Sequence, residues 1–456
     1  MSKTLLEVLA DFATNLRYDD LSPELVSKAN DCFFDFVGCY FGAVDRKGIP
    51  SLVKGIASWN ASQEAPIWGF KYRTGVAEAA LAMGTLGYYL EYDDGISVAG
   101  HWGSAGIPST YLGTTQAGGS GKEFLTALVA SYEVATRISR IFSPRLLSNH
   151  IHFPCTMGAF AAATGYGKGI GLDSGKLSGA LSLAGLFPLG AYSTAITGAA
   201  GKSLYSGWPN YLGVNACRLA DIGLVGDSGI MEHQYGFGNA LGLEPVTQVQ
   251  ADQALAALGE IYLFMQVYFK QYPCCRWIHA PVSAVMALMS AHAFDLADIE
   301  KITVSGPRFI LMYNAHEGYE SKVTCQYSIP YCVAAAAFFR RLGIEEFELE
   351  ARLSAGVRAL AARVDVKEDN DLNGMFPASF AVNVEVLLRS GQILRRVEGT
   401  PWGPDTPPTH DELIEKFVSL TRSTIKQSHR EEWVKLYRAG FHSPGAFEEA
   451  QELLQK

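Results

Sequence analysis

Four short stretches of this chain gather side chains that can move protons or hold anions. The first is Glu91-Tyr92-Asp93-Asp94-Gly95, closed by His101-Trp102-Gly103. Carboxylates this close repel one another, so burying them requires a proton or a cation nearby, and general acids and bases are tuned in this way. The bland reading is an acidic helix end in solvent. The second is His150-Ile151-His152-Phe153-Pro154-Cys155. A zinc site would need further ligands that this spacing does not supply, so no metal is expected, and His150 reads as structural. His152, just before Pro154 and a run of small residues, falls at a helix N-terminus. There the dipole disfavours imidazolium and keeps a neutral ring available. The third stretch, Gly201-Lys202-Ser203-Leu204-Tyr205, puts one cation at the end of a long uncharged segment. Such a lysine is usually a solvated helix end, and in a cleft it would hold a carboxylate. The fourth runs from Phe269 to His279 and offers Lys270, Arg276 and His279 as cations. It lies where the texture of the chain changes, and ligand clefts favour such junctions. The adjacent Cys274 and Cys275 do not form a CxxC motif. As thiols, one of the two packs in the core and the other lines the cleft.

These residues need elements to position them. Residues 1 to about 265 read as successive helices by apolar spacing and caps. Ser22-Pro23 starts one, with Leu25, Val26, Ala29, Phe33, Phe36, Val37 and Tyr40 on its buried face. Ser120-Gly121-Lys122-Glu123 is a capping box. That stretch imitates a phosphate loop, but Gln116 stands where the first Gly belongs and Glu123 follows Lys122, so no nucleotide site is expected. From about 266 the pattern alternates: Ile302-Thr303-Val304 reads as a strand, and Val382 to Val386 with Ile393 to Val397 as a hairpin around Ser390-Gly391. Tyr331 to Arg341 reads as a helix between them, giving an α+β unit. A Pro/Gly-rich linker spans 399–408, and Thr409-His410-Asp411-Glu412 opens a helical tail that rejoins the first body.

At 456 residues, the chain exceeds the roughly 250–300 at which one core stops growing, so two units are expected. With 48% hydrophobic and 18% charged residues it can bury a large core. The net charge of −9 and the absence of any basic run argue against a nucleic-acid partner. The stretch between Lys176 and Lys202 carries no charge, but Pro188 and many Gly, Ala, Ser and Thr fit packed internal helices better than a membrane span. Eight cysteines in a long chain, with acids within the apolar N-terminal stretch, indicate reduced thiols, no secretory signal and a cytoplasmic protein.

Taken in order, the four stretches resemble the MmgE/PrpD family, which includes 2-methylcitrate dehydratase, cis-aconitate decarboxylase and iminodisuccinate epimerase. The likeness rests on Asp93-Asp94 with His101, on His152-x-Pro154-x-Thr156-x-Gly158, on Lys202-x-Leu204-x-x-Gly207 and on Lys270-x-Tyr272-Pro273 with His279. It implies a mainly α fold: a large all-helical domain from residues 1–266 and 401–456, and a smaller α/β lid over 267–400. It also implies a homodimer, no required metal or organic cofactor, and a small carboxylate as substrate. By the same likeness His101, His152, Lys202 and Lys270 line the site, with Glu91 and Asp94 nearby and Tyr331 reaching in from the lid. The remaining expected substrate contacts are Cys275, Arg276 and His279.

Three positions depart from the family pattern. Gly95 stands where cis-aconitate decarboxylases carry Thr, Cys275 where they carry a second His, and Trp102 where Pro often follows the first His. The leading expectation is therefore a hydro-lyase in which the two lysines hold carboxylates and one histidine removes an α-proton. The alternatives are an epimerase with two bases, Cys275 among them, a decarboxylase, or a non-enzymatic helical binding protein.

Overall fold

The caps act where the sequence puts them. Ser22 Oγ accepts the Leu25 amide at 3.3 Å and Pro23 takes the first position of the helix Pro23–Phe41, whose second half is buried on every side. Ser120 and Glu123 cap each other reciprocally at the start of Gly121–Ser148, so the stretch that imitates a phosphate loop is an ordinary helix entry. Thr409 and Glu412 do the same for His410–Thr421. The structure, a computed structural model, describes residues 3–187, 190–375 and 380–456.

Small residues let the central helices approach closely. Val76–Tyr89, Trp102–Gln116, Phe153–Gly169 and Leu204–Asp221 pack together as a bundle. At Gly213 an added Cβ would lie 2.5 Å from the Ala162 methyl, so no larger residue fits that crossing. The uncharged segment divides into Ser174–Gly185 and Ser193–Thr197, and Pro188 lies outside the described residues. No described helix is long and apolar enough to cross a membrane.

The strands behave as the alternation requires. Among the described residues, Ile299–Gly306 pairs in parallel with Val364–Glu368 and antiparallel with Val382–Leu388, which continues antiparallel to Ile393–Glu398. Val382, Val384, Val386 and Leu388 point to the covered face, against the helix His279–Ala291, while the helix Ile329–Phe339 packs on the strand Val364–Glu368. The fold is therefore mainly helical with an α/β part.

Two apolar cores result. The first holds the N-terminal helices, and the C-terminal helices return to it: Phe34 stacks on Tyr437 at 4.0 Å, and Phe33 meets Phe441 edge-on at 4.8 Å. The second is built on the sheet, yet it also takes in Tyr88, Leu147, Cys155, Tyr192 and Tyr205 from the helical part. The ionisable clusters gather along this shared seam.

Candidate active site

A cleft of about 70 Å³ opens at the seam. A two-strand clip holds one wall, because Gly95–Ile96 pairs antiparallel with Val267–Tyr268 and brings the His101 loop beside Lys270. The clip is tight. A Cβ on Gly95 would lie 2.6 Å from the Tyr268 hydroxyl and 3.0 Å from the Gly100 carbonyl oxygen.

Glu91 organises the floor. It follows the helix Val76–Tyr89 with φ at 56°, a left-handed conformation that costs a non-glycine residue energy and persists only where its surroundings impose it. Its buried carboxylate accepts hydrogen bonds from Lys202 Nζ and, at 2.7 Å, from Lys270 Nζ, which also donates to the Glu91 carbonyl at 3.0 Å. Burial alone would raise this carboxyl, but the two ammonium groups overcome it and hold Glu91 well below the usual carboxylate range. Burial lowers Lys202, with Glu91 offsetting part of the shift. Burial also opposes the charge on Lys270, but Glu91 and Asp93 outweigh it and raise that lysine. Lys202 further sits 4.0 Å above the Tyr88 ring.

Two histidines face the cleft from helix N-termini. His101 precedes Trp102–Gln116, and its Nδ1 lies 2.8 Å from the Asp94 carbonyl oxygen. A carbonyl can only accept, so Nδ1 carries the proton and Nε2 a lone pair. Asp93 Oδ1 is 3.7 Å from that Nδ1. Burial lowers the ring below its ordinary value, against the pull of Asp93. His152 caps Phe153–Gly169: its Nδ1 accepts the Cys155 amide at 3.3 Å, which places the ring proton on Nε2. The ring stacks on Tyr205 at 3.9 Å. Burial holds it far below 6.5, and repulsion from His101, whenever that ring is protonated, and from Lys202 adds to this, so it stays neutral.

Other groups complete the electrostatics. Asp94 accepts from Tyr132 Oη at 2.7 Å and from the Gly103 amide at 3.0 Å, and burial, with Asp93 and Asp35 adding to it, pushes its carboxyl up to about 7. Burial pushes the Cys275 thiol up to about 12. Arg276 reaches the cleft with its guanidinium 4.1 Å over the Tyr268 ring, donating from Nη1 to the carbonyls of Phe269 and Pro401.

This arrangement can be compared with known proteins. The N-terminal domain model of the MmgE/PrpD family matches residues 7–249, and its C-terminal domain model matches residues 272–438. The chain belongs to the MmgE/PrpD family. Among its relatives, the cis-aconitate decarboxylase of Aspergillus terreus is 23% identical over 446 residues, covering 93% of this chain and 90% of the relative. The cis-aconitate decarboxylase-like protein oryM of Aspergillus oryzae is 24% identical, covering 91% and 90%. The human cis-aconitate decarboxylase is 22% identical, covering 96% and 92%.

Within this MmgE/PrpD chain the expected site residues separate into groups. Glu91, His101, His152, Cys275 and Arg276 line the cleft. Lys202 and Lys270 stand behind it, 2% and 0% exposed, with their ammonium groups engaged by Glu91. Asp94 is likewise buried, held by Tyr132 and Gly103. His279 is farther back, fully buried beside Tyr272. Tyr331 does not reach into the cleft: its hydroxyl donates to the Glu346 carbonyl inside the α/β part, and Tyr327 faces the cleft instead. The helix Ile329–Phe339 starts after Tyr327, so Tyr331 falls in its first turn, where Ser328 caps its amide. The His150 ring meets Tyr313 Oη at 2.9 Å rather than converging with His152. Sequence reasoning missed the aromatic wall of Tyr192, Tyr268, Trp277 and Tyr327. No spacing rule links those positions, since four separate segments bring them together.

Proposed function

We propose that this chain is a lyase that removes a proton beside a carboxylate of a small di- or tricarboxylic hydroxy acid and eliminates water, as a 2-methylcitrate dehydratase does. One observation carries the reading: two neutral histidines in one cleft hold opposite tautomers. His101 Nε2 takes the α-proton, and Asp93 steadies the imidazolium that forms. The electron pair left on carbon spreads onto the adjacent carboxylate, where His152 Nε2–H and Arg276 donate to the oxygens that gain charge. The carbon–oxygen bond then breaks, the double bond forms, and His101 delivers its proton to the departing hydroxyl. Water leaves and both rings return to their starting state. The chain's own side chains suffice for these steps, so the reading invokes no cofactor.

The test is alkene absorbance after mixing purified protein with 2-methylcitrate, citrate and alkyl- or aryl-substituted malates. A rise that His101→Asn abolishes supports the reading; no product from any of these acids overturns it.

Decarboxylation is the second reading, favoured by the names of the relatives. Against it stands Gly95, where a Thr side chain would run into Tyr268. Carbon dioxide released from cis-aconitate would favour this reading. Epimerisation by two bases has less support, because a Cys275 thiol pushed up to about 12 is protonated at neutral pH.

The reading extends to a cytoplasmic homodimer. Eight buried, unpaired thiols suit a reducing compartment. Leu204, Trp208, Leu219 and Ile222 leave one side of the helix Leu204–Asp221 apolar and exposed in the single chain. Light scattering measures the oligomer directly.

A further inference from the structure

Three consecutive carbonyls at the floor of the site are held by side chains from three distant segments. Leu90 closes the helix Val76–Tyr89, and its oxygen accepts from Gln326 Nε2 at 2.8 Å. The Glu91 oxygen accepts from Lys270 Nζ at 3.0 Å, and the Tyr92 oxygen from Lys416 Nζ at 2.8 Å. Carbonyls at a helix C-terminus have no partner within the helix, so where they are buried another segment must supply the donor. Gln326 differs from the two lysines in joining several parts at once. It ends the short helix Lys322–Gln326 of the α/β part and is 1% exposed. The second proton of its Nε2 goes to the Pro273 carbonyl at 2.9 Å, and its own carbonyl accepts the Cys275 amide at 2.9 Å. The next residue, Tyr327, faces the cleft. One side chain thus ties the turn that carries Glu91 to the stretch that carries Lys270 and Cys275. An amide suits this task without adding charge, because a carboxylate only accepts and a hydroxyl has a single proton to give.

We infer that Gln326 is a positioning residue, whose amide fixes the α/β part against the Glu91 turn and so sets where Tyr327 and Cys275 stand relative to His101 and His152. The backbone of Glu91 supports this. Its left-handed conformation persists only where surrounding contacts impose it, and Gln326 bonds the carbonyl immediately before it. Without the amide, the turn is free to relax and the two walls of the cleft to drift apart. A displacement of about 1 Å costs roughly 10²-fold in rate where groups must meet reacting atoms. The inference concerns how the cleft is held together, and only the kinetic arm of its test rests on the acid–base reading.

The test compares Gln326→Met, which keeps the length of the side chain without its donors, with Tyr331→Phe, which loses a bond to a backbone carbonyl inside the α/β part alone. Hydrogen exchange of the full chain is followed by mass spectrometry over residues 88–95 and 270–279. Gln326→Met should exchange at least about 10-fold faster than the unaltered protein in both stretches, since stranding one buried acceptor shifts a local opening equilibrium by that order. Tyr331→Phe should match the unaltered protein in both. With an acid that the unaltered protein turns over, Gln326→Met should lower kcat per folded molecule by about 10–10², while Tyr331→Phe leaves it unchanged. Should Gln326→Met not fold, Gln326→Glu keeps the shape, can reach at most one of the two carbonyls with a proton, and should give the same pattern. Exchange that stays at the unaltered rate in either stretch overturns the inference, and so does an undiminished kcat per folded molecule. If the unaltered protein turns over no acid at all, the acid–base reading is removed, and the exchange rates still decide the role of Gln326.

Discussion

His101 and His152 face one cleft with their ring protons on opposite nitrogens, because His101 Nδ1 donates to the Asp94 carbonyl while His152 Nδ1 accepts from the Cys155 amide. The same two residues could not have been told apart by type or spacing. Their partners are backbone groups, which a sequence does not mark.

From this relationship His101→Asn is expected to lower kcat by about 10²–10⁴, the usual contribution of a positioned base. The pH profile supplies a sharper check. Activity requires unprotonated Nε2, so it should fall as pH drops through the lowered value of His101, below 6.5. Asp93 raises that value, so Asp93→Asn should move the acidic limb to still lower pH.

Glu91→Gln keeps the shape of the side chain and leaves two buried ammonium groups without their counter-charge. Unfolding titrations should register a loss of about 3–5 kcal/mol, the range for breaking a buried pair from one side. Replacing the whole triad, as Glu91→Leu with Lys202→Met and Lys270→Met, should recover much of the stability while activity stays lost.

Asp94 carries a carboxyl pushed up to about 7 against an ordinary 3.8. Between those values the unfolded chain binds fewer protons at this group than the folded one, so its contribution makes stability fall as pH rises. The slope is at most about 1.4 kcal/mol per pH unit. Asp94→Asn should remove that slope between pH 4 and 7, measured as the difference in unfolding free energy between the two proteins.

Tyr331→Phe deletes a hydroxyl bonded to the Glu346 carbonyl, so about 1 kcal/mol of stability should go while turnover is unchanged. Tyr327→Ala removes part of the cleft wall and should raise KM.

Lys416 reaches from the C-terminal part to the floor of the site. Its Nζ pairs with Asp35 at 2.7 Å and donates to the Tyr92 carbonyl at 2.8 Å, between Glu91 and Asp93. Lys416→Met should cost about 3–5 kcal/mol by leaving Asp35 buried alone. Adding Asp35→Leu should restore stability but not kcat, since Tyr92 still lacks its anchor.

The sequence by itself determined the helical texture, the capped helix starts at Ser22, Ser120 and Thr409, the alternating strands, and the ionisable stretches that carry the family resemblance. Each depends on neighbours a few residues apart, where periodicity and capping chemistry act. Only the tertiary structure decided that Lys202 and Lys270 hold Glu91 instead of lining the cleft, that Tyr327 takes the place expected of Tyr331, and that an aromatic wall surrounds Arg276. Those outcomes turn on contacts between distant segments, such as the 111 positions from Glu91 to Lys202, and on burial, which sets the charge each group can carry.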